Sequence, residues 1–139
     1  MALYTAIATS AGRDTRAATS DGRLDVKLAL QKEFGGDGDG TNPEQLFAAG
    51  WAACFASSIH LVARRRRWDA TGTSVTAEVG VHPLAAGGFT FAATMRVTMP
   101  AHLSAADRET LVDEAHHVCP YSNATRDTIP VRFVIDNGE

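Results

Sequence analysis

Thr41-Asn-Pro-Glu-Gln-Leu-Phe-Ala-Ala-Gly-Trp-Ala-Ala-Cys-Phe55 is the stretch on which the fold turns. Asn42 is a favoured N-cap, Pro43 suits the first helical position, and Gln45 stands where a capping box needs its amide. Leu46, Phe47, Gly50, Trp51, Cys54, Phe55, Ile59 and Val62 recur at steps of three and four and form one apolar stripe. The spacing predicts a helix from Pro43 to about Arg66, with Cys54 on the face turned toward other protein. Arg64 to Arg67 close it, where cations suit the negative end of a helix dipole. An anion-binding or nucleic-acid patch is the sharper alternative for that run.

Upstream, Leu3 to Thr9 is apolar and β-prone and reads as a strand, and a loop over Ala11 to Arg16 carries Arg13, Asp14 and Arg16. A second strand ends near Ser20, and Asp21-Gly22 marks a hairpin turn. Leu24, Val26, Leu28 and Leu30 then alternate with Arg23, Asp25 and Lys27, the pattern of a half-buried strand. Gly35 to Gly40 reads as a mobile linker. Its Asp-x-Asp-Gly piece lacks the downstream Glu and the ligand spacing of a calcium loop. Downstream, strands are expected near Ser74–Val81 and Phe89–Met99, joined through His82-Pro83 and Gly87-Gly88. Ser104 caps a second helix with Asp107 in third position. It runs to about Val118, where Pro120 helps to stop it. Ile129 to Ile135 is a last strand. The order β-β-β-α-β-β-α-β describes an α+β fold with antiparallel sheets, a long central helix and a second helix.

A chain of 139 residues fits a single domain, 1–139, with a real core. The net charge of −3 argues against a nucleic-acid partner, which favours a basic surplus. The start shows no basic region followed by an apolar one, so no signal peptide is expected. No stretch reads as a run of roughly 18 apolar residues, so no membrane span is expected either. These features point to a cytoplasmic protein, where a lasting disulfide is unusual and a transient catalytic one is the common exception.

Only two cysteines are present, Cys54 and Cys119, 65 positions apart. Two thiols are too few for a disulfide scaffold but enough for a redox pair. The bland reading is that both are inert core residues, as free cysteines commonly are. A thiol attacks as its thiolate. Cys54, in mid-helix, gains nothing from a helix N-terminus, and burial alone raises its pKa. A reactive Cys54 therefore needs a cation brought to it. Arg13 and Arg16 are the first candidates, with a carboxylate to hold the guanidinium. Glu44 is the obvious carboxylate, but ten residues of helix separate it from Cys54, about 15 Å of rise. If both serve one small site, Glu44 reaches the Cys54 of a partner chain, which implies an intertwined homodimer. Cys119 lies at the end of its helix, where the dipole disfavours a thiolate, and so suits a thiol that resolves rather than attacks. His60, His116 and His117 add imidazoles, but no Cys-x-x-Cys or His-x-x-x-His spacing supports a metal site. No Gly-x-Ser-x-Gly elbow supports a serine hydrolase.

At Thr41–Gly50 with Ala53-Cys-Phe55, and at Val118-Cys-Pro-Tyr-Ser-Asn-Ala-Thr-Arg126, the sequence resembles the Ohr branch of the Ohr/OsmC family, the organic hydroperoxide reductases. Gly12-Arg-Asp14, Ser20-Asp-Gly22, Leu24–Leu28 and Gly87-Gly-Phe89 match as well, so the resemblance covers nearly the whole chain. It implies an OsmC-like fold and an intertwined homodimer with two interface sites. Cys54 would be the peroxidatic cysteine, Cys119 the resolving one, Arg13 the activating cation and Glu44 the carboxylate that orients it. It also implies a dithiol reductant of the lipoyl type, dihydrolipoamide on lipoylated proteins, with no bound cofactor and no metal. Two departures stand out. Thr15 replaces a common glycine beside Arg13, and Arg16 competes for the role of partner. Trp51 replaces a common tyrosine near the thiol. Phe47, Trp51, Phe55 and Tyr121 are the candidates for an apolar substrate pocket, or are simply core. An OsmC-type protein of broader peroxide use and a non-enzymatic redox sensor are the rival readings.

Overall fold

The computed structural model describes residues 1–139. The chain divides into two compact units, Met1–Leu46 and Phe47–Glu139.

In the first unit, β1 (Ala8–Ser10), β2 (Arg16–Thr19) and β3 (Asp25–Lys27) form an antiparallel sheet in that order. Ala8 pairs with Thr19 and Arg16 with Lys27. The first strand is shorter than the expected Leu3–Thr9. Leu3, Tyr4 and Ile7 are exposed, and within the sheet β1 has only the short β2 to pair with. The linker over residues 35–40 is tied down rather than free. A 3-10 turn, Lys32–Phe34, ends at Gly35 in the left-handed region (φ 91°). Gly38 N–H donates to Leu30 O (3.1 Å), and Asp39 pairs with Lys27 (2.7 Å). That pair holds Asp39 below the ordinary carboxylate pKa and Lys27 above the ordinary amine value.

The helix α1 (Pro43–Arg66) has the predicted bounds. Asn42 Oδ1 accepts from Gln45 N–H (2.9 Å), so the N-cap holds. The reciprocal arm of the capping box goes elsewhere, since Gln45 Oε1 accepts from the Thr41 hydroxyl (2.6 Å). At the far end Arg66 pairs with Glu114 and lies over the Trp68 ring at 4.8 Å, so part of the arginine run is engaged in packing. By length and composition alone α1 is apolar enough to cross a membrane, a run that the sequence reading did not single out. Trp51, Phe55, Ile59 and Val62 are buried in the core of their own unit, and that accounts for the apolar character.

In the second unit, β4 (Ser74–Pro83), β5 (Phe89–Thr98) and β6 (Val131–Asp136) form a sheet in that order. Their core joins α1 to Ala93, Met95 and Val97 of β5 and to Leu111, Val112 and Ala115 of α2 (Ala105–Val118). Ser104 caps α2, accepting from Asp107 N–H at 3.0 Å. Antiparallel pairing holds for β4 and β5, but β6 runs parallel to β5, contrary to the expected pattern. A parallel neighbour needs a crossover of a dozen or more residues, and residues 99–130 supply it. That crossover contains an unexpected helix, α3 (Pro120–Thr125). Pro120 ends α2 as expected and also opens α3 at the position where proline is favoured.

Candidate active site

Cys54 sits mid-way along α1 and Cys119 at the junction of α2 and α3. The fold brings these two together. Both are free thiols, with their sulfurs 3.1 Å apart and in hydrogen-bond contact. Cys54 is half-buried and Cys119 fully buried. Cys119 is at once the C-cap of α2 and the N-cap of α3. Cys119 therefore lies at the start of one helix as well as at the end of another, and not only at the negative end that the sequence suggests.

The junction is held by the segment that follows it. The last turn of a helix leaves carbonyls without partners. Here Asn123 Nδ2 donates to His117 O (3.1 Å) and Arg126 Nη2 donates to His116 O. These bonds fold α3 back against the end of α2. They fix where Cys119 points, and they give Asn123 and Arg126 a part that sequence reasoning missed. His116 itself packs edge-on against Phe133 at 5.0 Å. Burial, then the nearby Arg126 charge, hold its pKa below the usual histidine value.

The thiol of Cys54 is pushed up to about 11, first by burial and then by its pairing with Cys119. Two groups act in the opposite direction, the backbone N–H of Tyr121 and the hydroxyl of Ser58. Ser58 also donates to the Cys54 carbonyl at 2.9 Å. The Tyr121 amide belongs to the first turn of α3, so Cys54 does receive help from a helix start, one supplied by a different helix.

Around the pair, Trp51 and Phe55 are wholly buried. Phe55 faces Phe133 at 5.3 Å, and Trp51 meets Phe47 edge-on at 5.7 Å. The Trp51 indole N–H has no partner. Phe47 and Tyr121 are half-buried and meet at 5.8 Å. Of the four aromatic candidates, these two offer surface, and Trp51 and Phe55 belong to the core.

Arg13 and Glu44 line one cavity of about 410 Å³ in the first unit, walled by Leu28, Leu30, Phe34 and Leu46. No ion pair joins the two. Glu44 instead accepts from Gln31 Nε2 at 3.2 Å, a partner that nothing in the sequence pattern singles out. Arg16 is committed to Asp25, with Nε and Nη2 at 2.8 and 2.6 Å from one carboxylate oxygen. Arg13 has no such partner, so of the two arginines it is the one free to act. Its loop is a tight turn, with Asp14 in the left-handed region (φ 61°). The Thr15 hydroxyl donates back to Gly12 O, and Leu28 N–H donates to Thr15 O at 2.8 Å. Thr15 thus ties down the loop that carries Arg13. No group of three or more His, Cys, Asp or Glu side chains stands where it could hold a metal ion.

An α+β chain with a lone thiol pair between a central helix and a crossover helix defines the class, and the chain belongs to the OsmC-like family, whose family model matches residues 36–134. It falls in the branch of organic hydroperoxide resistance proteins. It is 48% identical over 136 residues to the organic hydroperoxide resistance protein of Xanthomonas axonopodis pv. citri, covering 96% of this chain and 94% of that one. It is 41% identical to organic hydroperoxide resistance protein OhrA of Bacillus subtilis, covering 96% of each. Among solved structures, the organic hydroperoxide resistance protein of Legionella pneumophila matches with a TM-score of 0.93 at 42% identity, covering 98% of this chain and 99% of that one. A Vibrio cholerae protein described as a putative organic hydroperoxide resistance protein, with captopril bound in one of its active sites, matches with a TM-score of 0.92 at 42% identity, covering 100% of this chain and 95% of that one.

Proposed function

We propose that this protein is a cytoplasmic thiol peroxidase that reduces organic hydroperoxides to alcohols. The observation that carries the reading is the pair of free thiols, Cys54 and Cys119, with sulfurs 3.1 Å apart. A disulfide needs about 2.05 Å, so closure requires an approach of only about 1 Å. The Cys54 thiolate attacks the terminal oxygen of R–O–OH. The O–O bond breaks, the alkoxide leaves as the alcohol, and Cys54 becomes a sulfenic acid. Cys119 then attacks the Cys54 sulfur, and water leaves as the disulfide forms. An external dithiol of the lipoyl type, dihydrolipoamide on a lipoylated protein, reduces the disulfide through a mixed disulfide and is itself oxidised.

A thiol pushed up to about 11 is almost wholly protonated at neutral pH, so activation needs a cation. Arg13 supplies it, oriented by Glu44, and later stabilises the departing alkoxide. The rise of α1 between Glu44 and Cys54, about 15 Å, supports a reading in which the two sets come from different chains of an intertwined homodimer. The exposed Leu3, Tyr4 and Ile7 support a covering partner. An apolar surround at Phe47 and Tyr121 rewards an alkyl tail by about 0.8 kcal/mol per buried methylene, which hydrogen peroxide cannot gain.

The deciding test is a single-turnover titration of pre-reduced protein with one equivalent of cumene hydroperoxide or of hydrogen peroxide. Rapid loss of both thiols and of about 2 Da with the organic peroxide, reversed by dihydrolipoamide, is the expected outcome. Cys54→Ser should abolish it. Cys119→Ser should allow one oxidation and then stall with a sulfenic or over-oxidised Cys54. Equal rates with both peroxides would point to a broader OsmC-type role, and thiols that survive both would sink the reading.

A further inference from the structure

Gly50 stands in the middle of α1 with alanines at 48, 49, 52 and 53. Glycine in a helix interior costs about 1 kcal/mol relative to alanine. Nothing in the local backbone asks for it, since Gly50 has ordinary helical geometry and no positive φ. The reason lies across the site. A Cβ at Gly50 would run into the Tyr121 Oη and stand 3.0 Å from Cζ and 3.4 Å from Cε2. Gly50 is one turn before Cys54, so both occupy the same face of the helix. Tyr121 is two residues after Cys119, joined to it by the stiff Pro120.

The phenol therefore rests in a notch cut into α1 beside the reactive thiol. Its ring is rigid and contacts Phe47, so Oη cannot bend aside by itself. To clear a methyl group, the whole ring or the backbone of 119–121 must shift.

We propose that Gly50 is a positioning residue for disulfide closure: lacking a side chain, it seats Tyr121, and through it the Cys119-Pro120-Tyr121 segment, so that Cys119 meets oxidised Cys54. The inference rests on the thiol-peroxidase reading and adds a residue that sets how fast the second step follows the first. In that step Cys119–SH and Cys54–SOH give the disulfide and water, and no other reactant is needed. Delay at this point leaves the sulfenic acid open to a second equivalent of peroxide, which takes it to the sulfinic acid.

The test is rapid-mixing single turnover with cumene hydroperoxide, sampled by intact mass and by trapping of the sulfenic acid. Gly50→Ala should slow disulfide closure by about tenfold or more, because misplacement of about 1 Å can cost up to 100-fold. Sulfenic acid formation should fall less, and sulfinic Cys54 should accumulate under excess peroxide. In the Tyr121→Phe background the clashing oxygen is gone. There the same Gly50→Ala change should cost less than about threefold, a coupling that general destabilisation would not produce. Normal closure in Gly50→Ala, or an equal slowing in the Tyr121→Phe background, would overturn the role of Gly50. A parent protein that keeps both thiols after peroxide would instead overturn the peroxidase reading beneath it.

Discussion

At the scale of single residues, the proposed chemistry concentrates on Cys54. Within the chain its environment favours the protonated form, and only the Tyr121 amide and the Ser58 hydroxyl oppose burial and Cys119. If Arg13 is the missing cation, Arg13→Ala should leave a thiol that titrates near 11, read by thiolate absorbance, while the parent protein titrates well below that. Stability should follow. A thiol raised from 9.0 to about 11 adds stability that is complete below pH 9 and is lost as pH rises toward 11. Urea unfolding of reduced Arg13→Ala should therefore weaken over that window, and a further Cys54→Ser change should flatten the slope. The two cysteines that the fold brings together were legible in the sequence. Gln31 as the partner of Glu44, and Gly50 as the seat of Tyr121, were not, because each acts through a neighbour that only folding supplies.

Among the elements, the long ones were legible and the short ones were not. α1 and α2 carry caps and sustained periodicity, and both match their predicted bounds to within a residue. α3 has six residues, too few to form by propensity alone. It exists because Asn123 and Arg126 satisfy carbonyls at the end of α2. The parallel placement of β6 was hidden for a related reason: strand direction depends on where a crossover returns the chain, and periodicity carries no such information. The Ser104 cap gives a direct test of how α2 is anchored. Ser104→Ala should lower stability by about 1 kcal/mol, roughly 3–5 °C in Tm, and Ser104→Asp should retain most of it. Because the cap lies a full helix away from Cys119, peroxidase turnover of the folded variant should stay close to that of the parent.

At the scale of the whole molecule, the proposal that each site draws on two chains makes a quantitative prediction. Arg13→Ala and Cys54→Ser should each be inactive as pure proteins. Co-expressed, they should form mixed dimers holding one intact site, Cys54 from one chain and Arg13 from the other. Random pairing in a twofold dimer gives about a quarter of the parent activity. If no activity returns although mixed dimers form, the two residues serve the same chain and the shared site is wrong.

The sequence by itself determined the fold class, the two main helices, the identity of the thiol pair and its family. Capping, periodicity and composition are local properties, and the two cysteine segments are long enough to be read directly. Only the tertiary structure decided that Cys54 and Cys119 touch, that Arg16 is taken by Asp25 and Arg13 is not, and that a glycine in mid-helix makes room for a tyrosine. These are contacts across turns and between elements, fixed by which surfaces pack together, and no periodicity along the chain encodes them.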